Sequence, residues 1–260
     1  MKWLSGLRVV VAGCLLLFSV AVVAGEWSDT TNKEILASAQ EAWSEFKLGL
    51  MHYKGESVPQ DYVEAERLFR LAAERGMAEA QYNLGVMHYK GLGVPQNYVE
   101  ALRWFRLAAE QGDMDAQFSL GVMHYNGEGV PQNNAEAVRW YRLAAEQGFA
   151  SAQLSLGVMY GNGQGVPQNY VEALRWFRLA AEQGLASAQH NLGVIYSNGQ
   201  GVPQNYQLAY LWFNLAAANG EERAIEGRDI AAIKLSSDAL NKAQALSQRC
   251  LASGYQDCGE

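Results

Sequence analysis

The chain has 260 residues, 49% of them apolar and 18% charged, with a formal net charge of −7 at neutral pH. At ~150 residues per domain this predicts one or two domains with a sizeable core, and it excludes wholesale disorder. The acids are spread along the chain, which also excludes a general nucleic-acid binder, whose affinity comes from neutralising phosphates.

In chain order, Lys2 and Arg8 precede an apolar run over residues 9–24, broken only by Gly13, Cys14 and Ser19. This predicts a secretory signal peptide cleaved after Ala24, and hence a periplasmic or secreted protein with no stable membrane span after cleavage. Two alternatives stay open. An uncleaved anchor is one, because ~17 apolar residues can just cross a bilayer. Lipidation is the other, since Val11, Ala12 and Gly13 before Cys14 resemble a bacterial lipobox. A chain cleaved after Ala24 keeps Cys250 and Cys258, an even count that suggests a disulfide closing a short C-terminal loop, with two free thiols as the alternative. Two cysteines with no nearby histidine do not make a structural zinc site.

Beyond a lead-in over residues 25–38, the chain repeats. Pro59, Pro95, Pro131, Pro167 and Pro203 are 36 residues apart, as are Gly49, Gly85, Gly121, Gly157 and Gly193. Gly76, Gly112, Gly148, Gly184 and Gly220 keep the same step, and so do Trp104, Trp140, Trp176 and Trp212, with Leu68 in the first equivalent place. Within a unit, Ala78, Gln81, Leu84, Gly85 and His88 recur at helical spacing. Gly91, Gly93 and Pro95 then interrupt, and Ala101, Trp104, Phe105, Ala108 and Ala109 resume the pattern. This predicts helix, turn, helix. Asp61, Asn97, Asn133 and Asn169 stand three residues before Glu64, Glu100, Glu136 and Glu172, a capping-box arrangement for the second helix. The glycine after each second helix suits a left-handed cap. One such pair is too small to bury its apolar face, so the pairs are expected to stack into an all-α solenoid, with small first-helix residues admitting close approach and Trp filling between layers.

The string Ala78, Ala80, Gln81, Leu84, Gly85, Gly91, Gly93, Val94, Ala101, Trp104, Phe105, Ala108, Ala109 and Gly112, matched five times over residues 39–220, resembles the Sel-one-like repeat, a branch of the tetratricopeptide-like solenoids. The resemblance implies an αα superhelix and a non-catalytic role in assembling or regulating complexes, often at bacterial envelopes or in host contact. It departs at Ser57, which replaces the second loop glycine, and at His52, His88 and His124, where Tyr160 and Tyr196 follow the family's usual tyrosine.

The fifth unit carries Leu208, Leu211 and Asn214 in place of the earlier Glu, Arg and Arg, so its outer face needs a cover. Residues 221–260 are expected to supply it, with one helix carrying Ala224, Ile225, Ile230, Ile233 and Leu235 and a second, capped by Ser237, from Asp238 to about Leu251.

Candidate sites divide into weak motifs and one patterned face. The three repeated histidines point the same way along the stack and form a ladder, not a metal cage, so they are expected to bond across their own helix pair. His190 falls at another repeat position and is read as surface variation. Ser44 and Lys47 make a Ser-x-x-Lys spacing without its usual partner motifs, the basis of an alternative reading as a β-lactam-interactive hydrolase. Cysteine-rich members of the resembling family have been connected with β-lactam binding, but this chain lacks their cysteines within the repeats. No nucleotide, dinucleotide or metalloprotease fingerprint occurs, so no catalytic set, cofactor or metal is expected.

The patterned face lies three and two residues before, and four and five after, each first-helix glycine, on a side expected to face away from the Trp-bearing helix and to line a concave groove. The first position reads Phe46, Tyr82, Phe118, Leu154 and His190, and the second Lys47, Asn83, Ser119, Ser155 and Asn191. The third reads Tyr53, Tyr89, Tyr125, Gly161 and Ser197, and the fourth Lys54, Lys90, Asn126, Asn162 and Asn198. Aromatics and lysines at one end and amides at the other suit an extended peptide with an acidic segment. A glycan held on Tyr53, Tyr89 and Tyr125 is the non-catalytic alternative. The partner's identity and the oligomeric state are not legible, a monomer being the expectation.

Overall fold

A computed structural model describes residues 29–255 and 257–258. Among the described residues there are twelve helices and no strand: α1 (Asp29–Lys54), α2 (Tyr62–Glu74), α3 (Ala78–Lys90), α4 (Tyr98–Glu110), α5 (Met114–Asn126), α6 (Asn134–Glu146), α7 (Ala150–Asn162), α8 (Tyr170–Ala181), α9 (Ala186–Asn198), α10 (Tyr206–Ala218), α11 (Arg223–Ile233) and α12 (Ser237–Ala252). The chain is an all-α solenoid of five helix pairs followed by two further helices. The expected leader, with Cys14, lies outside the described residues, and the expected lead-in is already helical from Asp29. Among the described residues no helix is long and apolar enough to cross a membrane. The backbone divides into two compact units, one ending at Ala80 and one starting at Gln81.

Inside both units one contact recurs. A Cβ placed on Gly49 would stand 2.8 Å from the Phe69 ring, and the corresponding gaps are 2.6 Å for Gly85 and Phe105, 2.4 Å for Gly121 and Tyr141, 2.4 Å for Gly157 and Phe177, and 2.5 Å for Gly193 and Phe213. Carbon atoms do not pack that closely, so each first helix lies on its partner's aromatic ring only because it has no side chain there. Layers are joined by the tryptophans. Trp176 of α8 is buried with Val138 and Tyr141 of α6 and with Leu156 and Met159 of α7.

Two amide networks complete each repeat of the second unit, neither of them anticipated from sequence. Buried Gln117, Gln153 and Gln189 donate to the carbonyls of Ala109, Ala145 and Ala181 at the end of the preceding second helix. Their Oε1 atoms accept from Gln147, Gln183 and Asn219 at 2.8, 2.8 and 2.9 Å. In the turns, Gln96, Gln132, Gln168 and Gln204 donate to the carbonyls of Tyr89, Tyr125, Gly161 and Ser197, as Gln60 does to Tyr53 in the first unit. Helix ends, buried and exposed, are thus satisfied by side chains.

The capping box is half present. Asp61, Asn97, Asn133 and Asn169 accept from the first-turn amides as expected. Their own N–H groups, however, donate to the carbonyls of His52, His88, His124 and Tyr160 in the last turn of the first helix. No donor is left for the glutamates, which turn outward to the arginines one turn on, Glu64 to Arg67 at 2.7 Å and Glu172 to Arg175 at 3.3 Å.

Ser57 adopts the left-handed region at φ 67° in the place of a glycine. At Gly165 and Gly201 an added Cβ would meet the first residue of the preceding second helix, Asn134 at 2.4 Å and Tyr170 at 2.7 Å. Among the described residues no second helix precedes Ser57, so its side chain meets no such neighbour and only the backbone strain remains.

Later repeats carry tyrosine at the histidine position. The Tyr160 hydroxyl accepts from Arg142 Nη2 at 2.6 Å and that of Tyr196 from Arg178 Nη2 at 2.7 Å, so the partner is an arginine of the preceding repeat, not a group across its own pair. The shorter His124 leaves its buried Nδ1 with no hydrogen-bond partner among the described residues.

The C-terminal helices cover α10 as expected, and Tyr210 and Leu211 are buried beneath them. Only part of the expected set does the covering, Ala224 within the core and Leu235 packed against it. Ile225, Ile230 and Ile233 of α11 are exposed, whereas Ala224 and Ala231 are buried. Gly227 lies so close to Phe213 that a Cβ would stand 2.7 Å from its ring, leaving room only for small side chains on that face. The cap of α12 is Ser236, one residue before the expected Ser237, accepting from Ala239 at 3.3 Å.

Two outcomes follow. Gly121→Ala is expected to cost about 1–3 kcal/mol by overpacking against Tyr141, measured by denaturant unfolding, and an unchanged midpoint would refute the contact. Burial holds His124 and His190 below the ordinary 6.5, Glu136 opposing and Arg106 reinforcing the effect at His124. The unfolded chain therefore takes up these protons first, so stability is full above about pH 6.5 and declines as pH falls toward the folded-state values. His124→Tyr is expected to flatten that decline and, by reaching Arg106 as Tyr160 reaches Arg142, to add about 1 kcal/mol at pH 7.5. An unaltered pH slope of stability would contradict this.

Candidate partner-binding cleft

Residues three before and four after the first-helix glycine share its helical stripe. Seating the glycine on the partner helix's ring therefore places both neighbours against that ring. Phe46 and Tyr53 flank Phe69 with centroids 5.6 and 6.2 Å away, and Tyr82 and Tyr89 flank Phe105 at 5.7 and 6.5 Å. Phe118 lies 5.5 Å from Tyr141, and His190 5.5 Å from Phe213. The expectation that this face turns away from the second helix is thus corrected, and so is the reading of His190 as surface variation. Phe46 is 7% exposed and belongs to the core. Tyr82, Asn83 and Phe118 are half-buried, with part of each open to solvent.

In the second unit the half-open rings border a cleft of 210 Å³ lined by Tyr82, Val86, Tyr89 and Lys90 of α3, Phe105 of α4, and Phe118, Ser119 and Val122 of α5. Five expected groove residues, Tyr82, Tyr89, Lys90, Phe118 and Ser119, are brought together there. Val86, Val122 and Phe105 were missed. The two valines follow the packing glycine directly and look like core in the repeat pattern.

Most polar atoms around the cleft are engaged. Tyr89 donates its hydroxyl to Glu128 Oε2 at 2.9 Å, and burial, then that carboxylate, pushes its pKa up to about 12. Ser119 Oγ donates to the Asp115 carbonyl at 2.8 Å, and burial raises the Asp115 carboxyl. The exposed Lys90 ammonium has no ion-pair partner among the described residues. The cleft thus offers an apolar lining of four aromatic rings and two valines, with one free cation at its rim.

The remaining expected residues are not gathered into it. Lys54 pairs with Glu56 at 3.8 Å, and Tyr53 packs edge-on against Tyr62. Asn126 and Asn162 donate to the loop residues Glu128 and Gln164 at 3.3 and 3.4 Å, which takes up amides expected to bond a peptide backbone. The Tyr125 hydroxyl accepts from Gln164 at 3.5 Å. Lys47 is exposed, and Asn191 is half-buried outside the cleft. Ser44 is exposed and its hydroxyl donates to the Gln40 carbonyl of its own helix at 2.9 Å, not to Lys47. Cys250 and Cys258 stand as a disulfide-capable pair with Cα atoms 4.5 Å apart. Among the described residues no group of three or more histidines, cysteines or carboxylates could hold a metal ion.

Comparison with known proteins places this geometry. The family model for the Sel1 repeat matches residues 44–77, 78–113, 115–149, 150–185 and 186–221. A solved Sel1 repeat protein from Oxalobacter formigenes is 31% identical with a TM-score of 0.68, over 80% of this chain and 88% of that one. A protective antigen of uropathogenic Escherichia coli strains displaying an SLR fold is 28% identical over 82% of this chain and 62% of that one, with a TM-score of 0.46. A Sel1 repeat protein from Klebsiella pneumoniae is 22% identical over 78% and 98%, with a TM-score of 0.46. No curated protein matches the chain. Five consecutive matches across most of its length show that the chain belongs to the Sel1 repeat family.

Proposed function

We propose that this Sel1 repeat solenoid is an exported, non-catalytic scaffold that holds a partner protein by seating one or two apolar side chains of an extended segment in the cleft between α3 and α5. One observation carries the reading. Rings and valines line a cleft that no side chain of the described residues fills, while the neighbouring amides and hydroxyls are engaged in holding the repeats together. A partner is therefore recognised by buried apolar anchors and by Lys90, which favours a carboxylate beside the anchor. The apolar run over residues 9–24 and the two remaining cysteines support passage into an oxidising compartment.

Selection of displayed random peptides on the full chain is expected to enrich sequences with Leu, Met or Phe beside Asp or Glu. Val122→Arg, which fills the floor, is expected to weaken a selected peptide by about tenfold or more, and Lys90→Glu by a few-fold, with helical content unchanged. Equal affinity for wild type and Val122→Arg would overturn the assignment. Protein recovered from envelope or medium is expected to begin at Gly25, and an intact Met1 terminus would refute export by cleavage.

A further inference from the structure

The chain's own tail shows what the edge of a repeat accepts. Tyr255 lays its ring against Gly184, where an added Cβ would stand 2.9 Å from Cε2. Its hydroxyl donates to Asn219 Oδ1 at 2.9 Å. Asn219 is free to accept because its amide nitrogen already donates to Gln189 of the buried ladder. The tyrosine thus spans the ends of two successive second helices, α8 and α10, packing on the left-handed glycine of one and bonding the last-turn amide of the next.

The same pair of groups recurs one and two repeats earlier, where none of the described residues covers it. Gly148 and Gln183 form one such rung and Gly112 and Gln147 the other. A Cβ on Gly112 or Gly148 would meet no atom within 4 Å. Gln147 and Gln183 are exposed and use their amide nitrogens on Gln117 and Gln153, so each Oε1 has no donor among the described residues. We propose that these two rungs form a second binding edge, separate in its residues from the cleft, which takes tyrosine side chains of an extended partner segment in the way the end rung takes Tyr255.

Tyr255 reaches with one side chain from the end of α8 to the end of α10, so successive rungs lie about 10 Å apart, which three extended residues span, and two tyrosines at i and i+3 match two of them. The glutamines are one methylene longer than Asn219, but their amide nitrogens bond the same buried ladder at 2.8 Å against its 2.9 Å, so each oxygen is offered from the same anchor. A phenylalanine keeps the ring contact with the glycine but leaves Oε1 without its donor.

The test uses the full chain, isotope-labelled, and a blocked peptide Tyr-Gly-Ser-Tyr with its Phe-Gly-Ser-Phe counterpart. The expected result is shifts of the Gly112 and Gly148 amides and of the Gln147 and Gln183 side-chain NH₂ groups, with affinity roughly 3- to 10-fold lower for the phenylalanine peptide. Gly148→Asn, which tolerates the left-handed backbone and fills the space, is expected to remove the shifts at its own rung and leave Gly112 responsive. Shifts confined to Tyr82, Phe118 and Val122 would overturn this edge while leaving the cleft standing. Equal affinity for the two peptides, or no shift at either rung, would overturn it too.

Discussion

The absence of a side chain at one helical position is the constraint on which this structure rests. At Gly85, Gly121, Gly157 and Gly193 the first helix sits on an aromatic ring so closely that a methyl group would not fit. That approach fixes the separation of the two helices in each pair. It also fixes which other side chains lie on the seam, because residues three before and four after the glycine are carried onto the same ring. The aromatic clusters of the candidate cleft are therefore a by-product of the packing that makes the repeat, and the solvent-open edges of those rings are what remains for recognition.

The polar groups obey the same economy. Turn glutamines bond the last-turn carbonyls of the first helices, buried glutamines bond the ends of the second helices, and cap amides feed the carbonyls of the histidine position. Groups that look like recognition chemistry in a list of residues are committed to the scaffold in three dimensions. Around the cleft and the open rungs, Lys90, the two valines, and the Oε1 atoms of Gln147 and Gln183 stay uncommitted among the described residues. A repeat protein of this kind is specific through its exceptions, since every copy of a repeated group that the scaffold uses is unavailable to a partner.

The fold was legible because the residues that set it are punctuation. Proline, glycine and tryptophan at a 36-residue step admit one arrangement, helix, turn, helix, stacked. The site was legible only in part. Tyr82, Tyr89, Lys90, Phe118 and Ser119 stand out because they vary where the scaffold repeats. The direction they face is not legible, because in the sequence the glycine marks only a register, whereas in the fold it is the contact that draws its own stripe inward. Val86 and Val122 were overlooked because an apolar residue at a repeated place looks like core. Recurring glutamines mark the amide ladders in the sequence, yet only coordinates show which carbonyl each one reaches. At the C-terminus the isoleucines of α11 suggested the covering face, but the close Phe213 ring admits only Gly227 and alanines, so the larger residues turn outward.

The most direct test of the glycine–ring contact is a double-mutant cycle on the full chain with Gly157→Ala, Phe177→Leu and the pair, measured by denaturant unfolding. If the missing methyl exists to admit the ring, shrinking the ring relieves the alanine, and the double variant is more stable than the summed single costs by at least about 1 kcal/mol. Strictly additive costs would contradict the contact on which the stacking, the cleft and the open edge all depend.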